Sequence, residues 1–163
     1  MRNLFYITIL LSLLSACGGQ SEESAQTSPP DTATAQQNSE TDVDKRIALM
    51  KSFRKNIGIM TKMANGDTAY DANVFQQAVD DLNINSTQPW QYYTQESATD
   101  EQSEALPEVW SRPDEFKNKI DNFTSAVATL KTATASGNLD NVKKPLADVG
   151  QSCKSCHQTF RED

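Results

Sequence analysis

Apolar side chains that return every three or four residues, in four separate stretches, constrain this chain more than any other feature. Val43, Ile47, Met50, Phe53, Ile57, Met60 and Ala64 trace one face of a helix. Thr41 and Asp44 ahead of them have the spacing of a capping pair, and Asn65-Gly66-Asp67 supplies a C-cap and turn. Asp71 is placed to cap a second, shorter helix with Phe75, Ala78, Val79 and Leu82 inward, expected to finish before Asn83-Ile84-Asn85-Ser86. Pro113 suits the first position of a third helix, with Asp114 and Glu115 in its opening turn. Phe116, Ile120, Phe123, Val127 and Leu130 then keep helical spacing towards Gly137.

The last segment puts Leu139, Val142, Leu146, Val149, Cys153, Cys156, His157 and Phe160 on one face, so the cysteines and the histidine are expected on its buried side. Pro145 within it predicts either a kink or a helix start near Lys144. Residues 87–112 break the pattern. They are polar and acidic, contain Pro89-Trp90, Tyr92, Tyr93, Leu106-Pro107 and Trp110, and read as a long loop crossing one end of the domain. No stretch alternates with period two, so no sheet is expected. The economical architecture is all-α: an antiparallel four-helix bundle over residues 42–163.

The 163 residues allow one ordinary domain once tails are removed. The formal charge of −7, without a dense Lys/Arg cluster, argues against a nucleic-acid surface. Residues 1–16 read as an address. Arg2 is followed by an apolar stretch from Leu4 to Leu14, too short to cross about 30 Å of hydrocarbon but suited to a signal-peptide core. It ends in Leu14-Ser15-Ala16-Cys17, which resembles the bacterial lipobox. Cys17 would then be acylated and become the first residue; cleavage at an ordinary signal site nearby would instead leave it a stray thiol. The rest of 17–41 is rich in Gly, Ser, Thr, Gln, Ala and Pro, with acids and no bases, and reads as a disordered tether. The expectation is an exported, membrane-anchored periplasmic domain. Gly18 after Cys17 leans towards the outer membrane.

Cys153-Lys154-Ser155-Cys156-His157 has the C-x-x-C-H pattern of c-type haem attachment. Cysteines three apart share a helix face, where each can form a thioether to one haem vinyl group, and the adjacent histidine can reach the iron. Other readings use fewer of these residues. A zinc site wants about four protein ligands, and the chain has a single histidine. A thioredoxin-like redox pair belongs at the start of a helix after a strand, whereas this motif lies in the last turns of the final helix. A disulfide between helix-spaced cysteines is sterically awkward and leaves the histidine unexplained.

Residues 42–163 as a whole resemble cytochrome c′, the four-helix c-type cytochromes with a haem motif near the C-terminus. The likeness rests on Arg46 followed by Met50 and Lys51, Gly66 then Tyr70-Asp71-Ala72 and Val74-Phe75, and Pro89-Trp90. It continues through Leu106-Pro107-Glu108-Val109-Trp110, Pro113 with Phe116, Val149-Gly150 and Cys153 to Arg161. The resemblance implies one haem c, anchored by Cys153 and Cys156, with His157 as proximal iron ligand. It places Arg46 near a haem propionate and Arg161 beside the proximal pocket.

Met50 falls at the family position facing the iron opposite the histidine. As sixth ligand it implies an electron carrier with a redox partner protein. As an unligated wall it implies a five-coordinate module binding nitric oxide or carbon monoxide. No enzyme is expected, because the single histidine is taken by the iron and none remains for acid–base work. Relatives are commonly antiparallel homodimers, so a homodimer is also implied. Pro145 and the lengthened acidic loop from Glu96 to Glu104 depart from the family pattern.

Overall fold

The computed structural model describes residues 40–162. The expected signal peptide 1–16, Cys17 and almost all of the tether 17–41 lie outside the described residues. Helix α1 (Asp42–Asn65) starts where its cap requires: Thr41 Oγ1 accepts from the Asp44 amide at 3.1 Å, and the Asp44 carboxylate accepts from the Thr41 amide at 3.0 Å. It stops at Gly66, whose φ of 83° is the left-handed conformation glycine adopts without strain. Helix α2 (Ala72–Asn85) is capped by Asp71, whose carboxylate accepts from the Asn73 and Val74 amides at 2.9 and 3.1 Å.

The second helix runs through Asn83-Ile84-Asn85, before which the sequence predicted its end. Asparagine lowers helix propensity by only a few tenths of a kcal/mol, and the last turn is held from outside. The buried Ser86 hydroxyl donates to the Asn83 carbonyl at 2.8 Å, and the Trp90 indole donates to the Ser86 carbonyl at 2.7 Å. The crossover that follows is more ordered than a plain loop. Short 3₁₀ turns cover Pro89–Tyr92 and Glu96–Thr99, and α3 (Glu108–Ser111) is a single helical turn. One antiparallel bridge joins Ala105 to Arg161, and it is the only β pairing among the described residues.

Helix α4 (Pro113–Thr134) opens on its proline as expected. Helix α5 (Leu139–Phe160) begins at Leu139, not near Lys144, because the Asn138 side chain caps it by accepting from the Asp140 amide at 2.8 Å. The helix continues through Pro145. That proline removes one amide donor to the carbonyl of the exposed Asn141, where water can replace it, while Val142, Leu146 and Val149 anchor both sides in the core.

Helix α1 packs on α2, α2 on α4, α4 most extensively on α5, and α5 back on α1, which closes the antiparallel four-helix bundle. The main core joins Phe53 and Met60 of α1, Phe75, Val79 and Leu82 of α2, Phe123, Val127 and Leu130 of α4, and Val142 and Val149 of α5. A second cluster at the end bearing the haem motif joins Val109, Phe116 and Phe160 to Trp90, Tyr93, Trp110 and Cys156. Phe75, fully buried at the centre, measures how closely the main core is packed. Phe75→Ala should cost about 3–5 kcal/mol, whereas Thr41→Ala, which removes a cap at the surface, should cost about 1 kcal/mol; urea denaturation checks both.

Candidate functional site

Two thiols and an imidazole project from the last two turns of α5, with the helix-face spacing the motif requires. Both thiols are free, and both cysteines are half-buried. Cys153 borders the main core and Cys156 the aromatic cluster, so the two cores meet between them. His157 departs from expectation: it is exposed, not on the buried face. One residue beyond Cys156 turns the helix by about 100°, which carries the ring from the packed side to the rim.

Burial shifts all three of these groups. Burial pushes the Cys153 thiol up, and burial together with the neighbouring Cys153 sulfur pushes Cys156 to about 11, so both remain protonated at neutral pH. His157 is shifted down, by loss of surrounding water and by the positive charges of Arg161 and Arg54. A neutral imidazole is the form that binds a metal, and here it persists to lower pH than usual. Among the described residues no group of three or more His, Cys, Asp or Glu side chains converges, so nothing completes a zinc site around the motif.

Met50 lies on α1, half-buried against the same core that Cys153 borders. It differs from Met60 and Met63 of the same helix, which are 0% and 6% exposed and fill the core. Arg46, one turn earlier, is 4% exposed. Its Nη1 donates to the Tyr92 carbonyl at 3.0 Å and to Ser97 Oγ at 2.7 Å, and its Nη2 donates to Ser103 Oγ. The buried Ser97 hydroxyl in turn donates to the Thr94 carbonyl at 2.8 Å. The guanidinium carbon stands 4.6 Å from the centroid of the Tyr93 ring. Desolvation lowers the Arg46 pKa, opposed by Tyr93, Asp100 and Asp42. Among the described residues no carboxylate lies within ion-pair distance of it, and its Nε–H has no acceptor.

Arg161, one turn beyond His157, points to the crossover. Its Nε donates to Glu104 Oε2 at 2.8 Å, and the backbone beside it pairs with the same segment: Leu106 N–H to the Phe160 carbonyl at 3.0 Å, Glu162 N–H to the Glu104 carbonyl at 2.9 Å. The lengthened acidic loop is thereby fastened at one side by Arg46 and at the other by Arg161. The sequence reading missed the aromatic lining of this end. Tyr93 sits 5.0 Å from Phe116, which is 5.1 Å from Phe160, and the Trp110 indole is 3.1 Å from both the Tyr93 and Thr94 carbonyls. The signal was present: Trp90, Tyr92, Tyr93 and Trp110 are large aromatics in an otherwise polar, acidic stretch.

The donor set fits a covalently held haem. Two thiols share a helix face, a neutral imidazole adjoins them, a thioether lies on the facing helix, and a buried cation lacks an anionic partner. Comparison with known proteins points the same way. Residues 41–161 match the family model described as Cytochrome C'. The chain is 32% identical over 120 residues to cytochrome c' of Alcaligenes xylosoxydans xylosoxydans, covering 74% of this chain and 92% of that one. Its fold is similar to crystalline cytochrome c' from Rubrivivax gelatinosus, with a TM-score of 0.72 and 27% identity over 74% of this chain and 94% of that one. It is also similar to a nitric oxide complex of a cytochrome c prime variant from Alcaligenes xylosoxidans, with a TM-score of 0.69 and 31% identity over 75% of this chain and 94% of that one.

The raised thiol pKa values carry a direct test on protein made before haem attachment. Alkylation of Cys156 by iodoacetamide should be slow at pH 7 and rise until about pH 11, by about tenfold per pH unit as the thiolate forms. A plateau near pH 8.5, the value of an unperturbed thiol, would show that burial does not act on it.

Proposed function

Because the chain belongs to the cytochrome c′ family and carries one c-type haem, we propose that it serves as a one-electron carrier held at a membrane surface by a lipid on Cys17. The observation that carries the electron-transfer reading is Met50. Its soft thioether packs half-buried against the core that Cys153 borders, not inside it with Met60 and Met63, which leaves the sulfur on the side of the core nearest the haem motif's helix face free to act as a ligand. When bound, the haem supplies an iron centre that changes by one electron.

The chain's own residues do the rest. Cys153 and Cys156 hold the ring by thioethers, so it cannot dissociate. His157, kept neutral, offers a nitrogen lone pair to the iron, and Met50 offers a sulfur from α1. With both residues as ligands, a one-electron change at the haem would need little rearrangement, which favours fast electron exchange. Arg46 would offer positive charge and an unused N–H to a haem carboxylate, and the cluster of Trp90, Tyr93, Phe116 and Phe160, which Cys156 borders, would help keep water from the group. The acidic surface, with a formal charge of −7 for the chain, favours a basic partner protein. No dedicated substrate is proposed, since the single histidine is committed to the iron.

A second reading, capture of nitric oxide at an open sixth position, is favoured by the nitric oxide complex of the similar Alcaligenes protein. Met50 separates the two. With the thioether on the iron, the ferrous spectrum is low-spin, carbon monoxide binds slowly, and Met50→Ala converts the protein to high-spin and speeds gas binding. A high-spin wild-type spectrum unchanged by Met50→Ala would instead establish the gas-binding function.

The anchor is tested separately. Wild-type protein should stay with membranes through a salt wash and carry acyl chains on Cys17 by mass spectrometry, and Cys17→Ser should release it. Soluble wild-type protein with an unmodified Cys17 would exclude the tethered carrier.

A further inference from the structure

Tyr93 is fixed on several sides. Its ring is 5.0 Å from Phe116, 6.3 Å from Trp90 in a stacked arrangement and 6.4 Å from Trp110, and one face carries the Arg46 guanidinium at 4.6 Å. Its backbone carbonyl accepts the Trp110 indole proton at 3.1 Å. Held at both ends, the side chain has no freedom to swing, so the place of its hydroxyl is set by the fold.

That hydroxyl has no hydrogen-bond partner among the described residues. No buried side-chain polar atom is left unsatisfied among them either, so the hydroxyl reaches an opening and is not sealed in packing. The groups within electrostatic reach of it are Arg46 from α1, Cys156 from α5 and Arg161 just after that helix. Asp42 and Asp100 act on Arg46 from beyond ion-pair distance. Burial pushes the phenol up to about 12, so it keeps its proton and is available as a donor. A phenylalanine would fill the same aromatic space, so packing gives no reason for the oxygen.

The donor therefore belongs to a ring that packs on a buried cation lacking a carboxylate, and it lies within electrostatic reach of the Cys156 thiol of the haem motif. Arg46 can only donate, and its Nε–H is unused. A buried cation and a neighbouring hydroxyl, both donors, are satisfied together by one anionic acceptor, and hydrogen bonds to a charged group are the stronger kind. We infer that the Tyr93 hydroxyl donates a hydrogen bond to a propionate carboxylate of the bound haem, which it shares with Arg46. This rests on the haem reading and adds to it a cofactor-binding residue from the crossover.

The test uses the haem-loaded protein and Tyr93→Phe, which keeps the ring and removes only the oxygen. Covalent haem should be retained, the propionate bending bands in the resonance Raman spectrum should shift, and the midpoint potential should fall, because a carboxylate with one donor fewer stabilises the ferric state more. The iron–carbon stretch of the carbon monoxide adduct should not move, and Tyr92→Phe should leave every band in place. Propionate bands unmoved by Tyr93→Phe would overturn the inference. So would a change confined to the iron–carbon and carbon–oxygen stretches, which would place the hydroxyl at the gas ligand. Wild-type protein lacking covalent haem would sink the haem reading beneath it, a result distinguishable from either.

Discussion

The buried guanidinium of Arg46 holds the functional end of this molecule together. It reaches from the first turns of α1 into the crossover and donates to the Tyr92 carbonyl, Ser97 and Ser103, residues on both sides of the Glu96–Thr99 turn. Charged side chains are seldom fully buried unless paired, and leaving such a group without its partners costs several kcal/mol. The crossover is therefore not free to lift away, and Tyr93, which packs on the same guanidinium, is placed with it. The aromatic cluster, the position of Trp110 and the seat of α3 follow from that placement. On the far side, Arg161 and the Ala105 bridge tie the same segment to the end of α5.

This arrangement explains how a polar, acidic loop coexists with a packed end to the bundle. Of the crossover's acids, Glu96, Glu101 and Glu104 are exposed and Asp100 and Glu108 half-buried, while Trp90, Tyr93 and Trp110 turn inward to the cluster of Phe116 and Phe160. The exposed Glu104–Arg161 pair contributes little as a surface ion pair, typically below about 1 kcal/mol, but the backbone pairing beside it fixes its geometry. The haem motif thus lies where two packed regions meet: Cys153 against the main core and Cys156 against the aromatic one.

Much of the fold was legible because each helix carries its own punctuation. Thr41 with Asp44, Asp71, Pro113 and Gly66 act within a few residues of themselves, so their effect can be read in order along the chain. Where reading failed, a contact from elsewhere intervened. Helix α2 outran Asn83 because Ser86 and Trp90 brace its last turn. Of the two outcomes Pro145 allowed, helix α5 did not take the start near Lys144, because the residues flanking the proline are buried against other helices. His157 came out exposed because it lies at the edge of a face whose limit depends on what packs there.

The sequence by itself determined the helix class, the four amphipathic faces and the presence of a C-x-x-C-H motif, since periodicity, caps and the Cys-Lys-Ser-Cys-His spacing are properties of neighbours in the chain. Only the tertiary structure decided that Arg46 would be buried with no carboxylate at hand, that Tyr93 would lie against it, and that the loop would be clasped from both sides. Arg46 and Ser103 are 57 residues apart, as are Glu104 and Arg161. Their meeting follows from closure of the bundle, because hydrogen bonds and burial depend on distances in space that no local pattern encodes.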